Sequence, residues 1–207
     1  MLPFPPLLLI TDRGQSRIAL LDVVAAALAG GVRWISVREK DLADLAQIAL
    51  AGEVAALGAR FGARVTLHGT ADLAARAGLD GVHLAAGADA ADARARLGAG
   101  ALIGQSVHAA AEAAEAEPGV LDYVVAGPAF ATASKPGYGP ALEADGLRHL
   151  VGVCRVPLLA LGGIDAANAA RCKAAGAQGI AVMGGLMRAP DPEAEARALL
   201  RAWSDAA

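Results

Sequence analysis

Short apolar runs alternate with helically spaced segments along nearly the whole chain. Residues 7–11, 34–38, 64–67, 81–84, 102–106, 123–126, 156–161 and 179–183 are mostly apolar and are bounded by glycine or polar positions, so they read as strands. Between them, 18–29, 42–57, 71–77, 90–97, 109–117, 143–151, a stretch from Asp165 to a stop at Gly176, and 193–203 carry helical spacing. The count is eight strands and eight helices in strict alternation. An internal echo supports it: AGGVRWISV from Ala29, AGLDGVHL from Ala77 and AGAQGIAV from Ala175 each place Ala-Gly shortly before an apolar strand. Alternation of this kind argues for a parallel sheet, and eight units of about 25 residues fit a closed barrel. The expected fold is therefore an α/β protein, a (β/α)8 TIM barrel, with residues 1–207 forming a single domain. The doubly wound alternative lacks its fingerprint, since no G-x-G-x-x-G follows the first strand.

Composition fits that picture and narrows the partners. At 207 residues, with 56% hydrophobic and only 3% aromatic positions, one core of Ala, Leu, Val and Ile is expected. The net charge of −3 and the scattered arginines exclude a nucleic-acid binder. No apolar run reaches the roughly 18 residues needed to span a bilayer, so no membrane partner is expected. The proline-rich residues 1–6 lack the cationic region of a secretion signal, and the expected location is cytoplasmic. Cys154 and Cys172 have no metal-ligand spacing and read as reduced structural thiols. The sequence sets no oligomeric state, and a homo-oligomer is compatible with it.

In such a barrel the chemistry belongs just past each apolar run. Gly162-Gly163 and Gly184-Gly185 follow the last two strands, where backbone N–H groups often hold a phosphate. The other strand outlets supply Asp12-Arg13, Arg38-Glu39-Lys40, His68-Gly69-Thr70, Ser106 and His108, and the long loop 127–140 adds Thr132, Ser134 and Lys135. Side chains alternate along an extended chain, so Arg38 and Lys40 share a face while Glu39 points away. Cations converging with a phosphate cup favour an anionic substrate. His108 is the acid–base candidate, because imidazole titrates near neutral pH. His83 lies within a strand and reads as a hydrogen-bonded wall residue, and His149 lies on a helix. No histidine is paired with carboxylates at ligand spacing, so no metal is expected through side chains alone. The glycines of loop 127–140 make it a candidate lid.

These residues fall in motifs: LITDR from Leu9, VREK from Val37, GVHL from Gly81, IGQSVH from Ile103, GPAF from Gly127 with Lys135, and LGGI from Leu161. The chain resembles the thiamine phosphate synthases and their relatives the thiazole tautomerases. The resemblance implies a (β/α)8 barrel acting on a phosphorylated thiazole. In the synthases resembled, an aminopyrimidine diphosphate is joined to a thiazole phosphate, with Mg²⁺ held by Asp residues after the third strand and after GVHL. Here those motifs read His68-Gly69 and Ala85-Ala86-Gly87-Ala88, with Asp89 one place late, and Ser36 stands where Gln is usual. Similarity to the tautomerase branch, which shares Gly at position 69 and the Ser106-Val107-His108 element, implies a metal-free isomerase that aromatises a thiazole carboxylate phosphate. In that reading His108 moves the proton, Gly162, Gly163, Gly184 and Gly185 hold the phosphate, and Arg38, Lys40 or Lys135 holds the carboxylate. The expectation is thus an isomerase without cofactor. The alternatives are a Mg²⁺-dependent synthase, in which Lys40 and Lys135 bind diphosphate, and a non-catalytic paralogue that binds thiazole or thiamine phosphate.

Overall fold

The structure, a computed structural model, describes residues 1–132 and 140–206. The strands are β1 (Leu7–Ile10), β2 (Trp34–Val37), β3 (Arg64–His68), β4 (Gly81–Leu84), β5 (Leu102–Val107), β6 (Tyr123–Ala126), β7 (Leu158–Leu161) and β8 (Gly179–Val182). All pair in parallel, in sequence order, and β8 closes on β1 through Leu8 opposite Ala181. The fold is a (β/α)8 barrel, as the alternation predicts.

The strands are mostly apolar because both their faces are covered. Alternation sends Leu7, Leu9, Ile35, Val65, Val82, Ile103, Val124, Leu158 and Ile180 outward to the helices, where they join the larger core cluster. Leu8, Ile10, Trp34, Leu102, Tyr123, Val125, Leu159 and Ala181 point inward and fill the barrel as a separate cluster. Two large aromatics occupy that small interior, and a glycine makes room for one of them. A Cβ at Gly104 would lie 2.0 Å from the Tyr123 ring, and Trp34 meets that ring edge-on at 4.6 Å between centroids.

The repeated Ala-Gly motif has a structural counterpart. Gly31, Gly78 and Gly176 take positive φ after their helices, at 108°, 63° and 94°. The polar residue just before β4, β6 and β8 ties each to the strand before. Asp80 accepts from Val65 N at 2.7 Å, Asp122 from Ile103 N at 2.8 Å and Gln178 from Leu158 N at 2.7 Å.

The helices are α1 (Leu20–Ala29), α2 (Asp44–Ala59), α3 (Ala71–Arg76), α4 (Ala90–Leu97), α5 (Ala110–Ala114), α6 (Glu143–Val153), α7 (Ala169–Ala174), α8 (Gly184–Met187) and α9 (Pro192–Ser204). The count among the described residues exceeds the expected eight by α8, one short turn opening at the glycine pair that the sequence shows only as a loop. A 3-10 turn at Arg13–Gln15 is likewise additional. The seventh helix starts later than Asp165 because that carboxylate accepts from Ala167 N and Asn168 N, forming a turn ahead of the helix. Among the described residues no helix is long and apolar enough to cross a membrane. Both cysteines are free thiols, and burial pushes the Cys172 thiol up to about 11.

Candidate active site

At the C-terminal mouth of the barrel a cavity of about 450 Å³ gathers residues from nearly every strand outlet. Of the residues singled out in the sequence, Arg38, Lys40, His68, Ser106, His108, Thr132, Gly162, Gly163, Gly184 and Gly185 all line it. Ser134 and Lys135 lie outside the described residues, as does most of the loop considered as a lid.

The cationic side is built by the β2 outlet. Glu39 is 3% exposed and accepts from the Arg13 backbone N–H at 3.1 Å and from its guanidinium at 3.1 Å. Arg13 also binds Asp41 through both terminal nitrogens. With Glu39 turned under the chain, alternation leaves Arg38 and Lys40 facing the cavity, and the Arg38 N–H is fixed by the Thr11 hydroxyl at 2.9 Å. Burial, and next the positive charge of Arg38, hold the Lys40 ammonium below its ordinary pKa. None of the ion pairs found among the described residues involves Arg38 or Lys40. Arg13, one of the strand-end residues, therefore serves to aim this turn.

The β7 and β8 outlets form a second side, the glycine cup. Gly162 and Gly163 have φ of 102° and 64°, which L side chains rarely adopt. A Cβ at Gly163 would also lie 2.4 Å from Ala131 O. The backbone itself can therefore border the cavity here, beside the first turn of α8 at Gly184 and Gly185. Arg188 comes just after that turn, lines the cavity and donates to the Gln15 side-chain oxygen. It is the cation that strand-outlet reasoning missed, because it follows a helix whose existence the glycine pair concealed.

Between these sides the floor divides. Ile10, Val125, Leu161, Ala181 and Met183 form an apolar half. The β3–β5 half is polar, with the His68 and His83 rings 4.8 Å apart. His83 is 1% exposed, and its Nδ1 and Nε2 lie 3.2 Å from the Tyr123 hydroxyl and 3.0 Å from Ser106 Oγ. Burial, then the nearby charge of Lys40, lowers its pKa from 6.5 to about 3, so the ring is neutral. Burial keeps the Tyr123 phenol protonated. The neutral ring donates through one nitrogen and accepts through the other, so it ties the Tyr123 hydroxyl to the Ser106 hydroxyl at the cavity floor. His83 is thus the wall histidine the sequence implies, with the added work of orienting Ser106. His108 stands exposed at the rim, its N–H donating to Glu112 at 2.6 Å.

The Mg²⁺ that the resemblance implies does not fit the donors present. The outlets of β3 and β4 offer His68, Gly69, Thr70 and residues 85–88, without a carboxylate. Asp89 instead caps α4, accepting from Asp92 N at 2.8 Å. Among the described residues no three His, Cys, Asp or Glu side chains are grouped to hold a metal, and residues 133–139, ASKPGYG, include no such residue type.

Residues 7–186 match the family profile described as thiamine monophosphate synthase. The chain belongs to this family. A putative thiamine-phosphate synthase of Geobacter sulfurreducens is 45% identical over 196 residues, covering 94% of this chain and 92% of the relative. A thiamine-phosphate synthase of Thermus thermophilus is 38% identical over 193 residues, covering 93% of each. The solved thiamine phosphate pyrophosphorylase of Pyrococcus furiosus superposes with a TM-score of 0.85 at 28% identity, covering 97% of this chain and 96% of that one. These relatives overturn the isomerase expectation. Absence of the two metal carboxylates argued against synthase chemistry, but it removes only a metal donor set, and Arg38 and Lys40 still line the mouth of the barrel.

Proposed function

We propose that the chain is a transferase that joins an aminopyrimidine methyl diphosphate to a thiazole phosphate, giving thiamine phosphate and inorganic diphosphate. The observation that carries this reading is the identity, over nearly the full length of both chains, to relatives named for the synthase, 45% to one named a putative thiamine-phosphate synthase and 38% to one named thiamine-phosphate synthase. The cavity agrees with it, because it places a cationic side and a glycine cup around a half-apolar floor that suits two heteroaromatic rings.

In the reaction the thiazole ring nitrogen attacks the methylene carbon of the pyrimidine. The new C–N bond forms as the C–O bond to diphosphate breaks, and the electron pair leaves with diphosphate. The backbone amides at Gly162, Gly163, Gly184 and Gly185 hold the thiazole phosphate. Arg38 and Lys40, with Thr132, Ser134 and Lys135 of the β6 loop, take the diphosphate, whose charge grows as the bond breaks. Ser106 presents its hydroxyl from the floor, and His68 bounds the same polar half. No proton is transferred in this substitution, so His108 acts as a hydrogen-bonding contact at the rim and not as the base first expected. Holding both substrates in one cavity supplies much of the advantage, since the encounter becomes intramolecular.

The direct test incubates purified protein with both substrates and follows thiamine phosphate and diphosphate. Equimolar appearance of the two is expected, with Lys40→Ala slowing it by about 100-fold. Tight binding of thiamine phosphate without turnover would instead identify a non-catalytic binding protein and overturn the proposal.

A further inference from the structure

The misfit between this cavity and a divalent cation has a chemical consequence. Diphosphate carries several negative charges, and a site that binds it must offset them. Among the described residues lining the cavity, Asp165 is the sole carboxylate, and its Oδ1 accepts from Ala167 N at 2.9 Å and Asn168 N at 3.1 Å. Near the β1 and β2 outlets, Glu39 and Asp41 are bound by Arg13, and Asp12 accepts from Gln15 Nε2 at 2.6 Å. A hard cation bound beside diphosphate ordinarily takes one or two carboxylates as well, and the turns after β3 and β4 supply none. Against the single carboxylate stand Arg38, Lys40 and Arg188, which line the same space. Arg38 and Lys40 enter no ion pair found among the described residues, and burial first, then the charge of Arg38, lowers the Lys40 pKa. A divalent ion entering there would meet like charge and few oxygen donors.

We propose that this site takes diphosphate as a metal-free anion, with Arg38, Lys40 and Arg188 supplying the positive charge that a divalent cation would otherwise bring. The inference rests on the transferase reading for its choice of diphosphate as ligand. It also makes the protein's affinity respond to Mg²⁺ in an unusual direction. Mg²⁺ in solution occupies diphosphate oxygens and lowers their charge, so it competes with the guanidinium and ammonium groups for the same anion.

The experiment titrates inorganic diphosphate into the full-length protein by calorimetry, once with chelator and once with excess Mg²⁺, alongside the thiamine phosphate assay in the same buffers. Binding is expected in chelator and is expected to be unchanged or weaker with Mg²⁺. Arg38→Gln and Lys40→Gln should each weaken it about tenfold, the loss of one charge-assisted contact, without lowering the melting temperature. The double variant Gly69→Asp with Ala88→Asp puts carboxylates back at the two outlets, and it should make binding tighten with Mg²⁺. The turn has room for this, since a Cβ at Gly69 meets only the Leu67 side chain, at 3.4 Å. Absence of binding in chelator, or a tenfold tightening by Mg²⁺ in the unaltered chain, overturns the inference. Metal-free diphosphate binding without thiamine phosphate formation upholds it while removing the transferase reading; coupling accompanied by Mg²⁺-dependent binding does the reverse.

Discussion

His83 shows how much one neutral side chain can set in this site. Its two nitrogens are engaged by Tyr123 and Ser106, and its pKa is depressed from 6.5 to about 3, chiefly by burial. The unfolded chain therefore binds a proton near pH 6.5 that the folded chain refuses. Stability associated with His83 is complete above that pH and is lost as pH falls toward about 3, at no more than ~1.4 kcal/mol per pH unit. Denaturant midpoints at pH 7 and pH 5 should accordingly differ less in His83→Gln than in the unaltered protein. Equal pH dependence in the two would show that the ring is not held neutral. The same network predicts that Ser106→Ala lowers turnover about tenfold with only a small change in stability, because it removes a cavity-lining hydroxyl and one hydrogen bond to His83. A loss of stability matching the loss of rate would assign Ser106 to the wall alone. From sequence His83 was legible as a wall residue but its partners were not, since Tyr123 lies 40 positions away and meets it only through barrel closure.

At the scale of elements, the β2 turn and the β7 turn position the cationic and the glycine-lined sides of the cavity by different means. The β2 turn relies on the Arg13 clamp around Glu39 and Asp41. Arg13→Ala is expected to lower both the denaturant midpoint and diphosphate affinity, and Glu39→Gln, which keeps the shape and most hydrogen bonds, to lower them less. The reverse order would mean that Arg13 is a surface residue without influence on Arg38 and Lys40. The β7 turn relies on backbone conformation. Gly163→Ala must hold a side chain at φ 64° and close to Ala131 O, so a loss of roughly 2–4 kcal/mol is expected, together with weaker phosphate binding. Gly52→Ala provides the comparison. Gly52 sits inside α2, a Cβ there meets nothing within 4 Å, and the change should stabilise by up to ~1 kcal/mol. The alternation of Arg38, Glu39 and Lys40 could be read directly from the period of an extended strand. The 3-10 turn that brings Arg13 to Glu39 could not, because its ion pairs join residues 26 and 28 positions apart. Arg188 was hidden for a related reason, as glycine pairs read as loops even where the first turn of a helix forms on them.

For the whole molecule, the barrel was legible because most strands are buried apolar runs and several helices, α1, α3, α4 and α7 among them, end at or next to a glycine; these are local signals repeated around a closed ring. Reaction class was less legible, because two missing carboxylates speak about metal binding and say nothing about how else an anion is held. What no local pattern reveals is how the interior is filled. Tyr123 and Trp34 together span the barrel floor, and the space for Tyr123 exists only because β5 presents Gly104, whose added Cβ would lie 2.0 to 2.4 Å from three ring carbons. Neither ring nor backbone can withdraw, since Tyr123 is fully buried and Gly104 is paired with it in the sheet register. Gly104→Ala should therefore destabilise by more than ~3 kcal/mol. Tyr123→Leu should itself cost about 2–3 kcal/mol through lost packing on Trp34 and the lost bond to His83. Because the smaller side chain vacates the space that the new methyl needs, the double variant should be more stable than the sum of the two losses by at least ~1 kcal/mol. A double-mutant cycle measured by urea denaturation decides it: additivity within ~0.5 kcal/mol would mean that the strand shifts to admit the methyl and that the two strands are not locked through this contact.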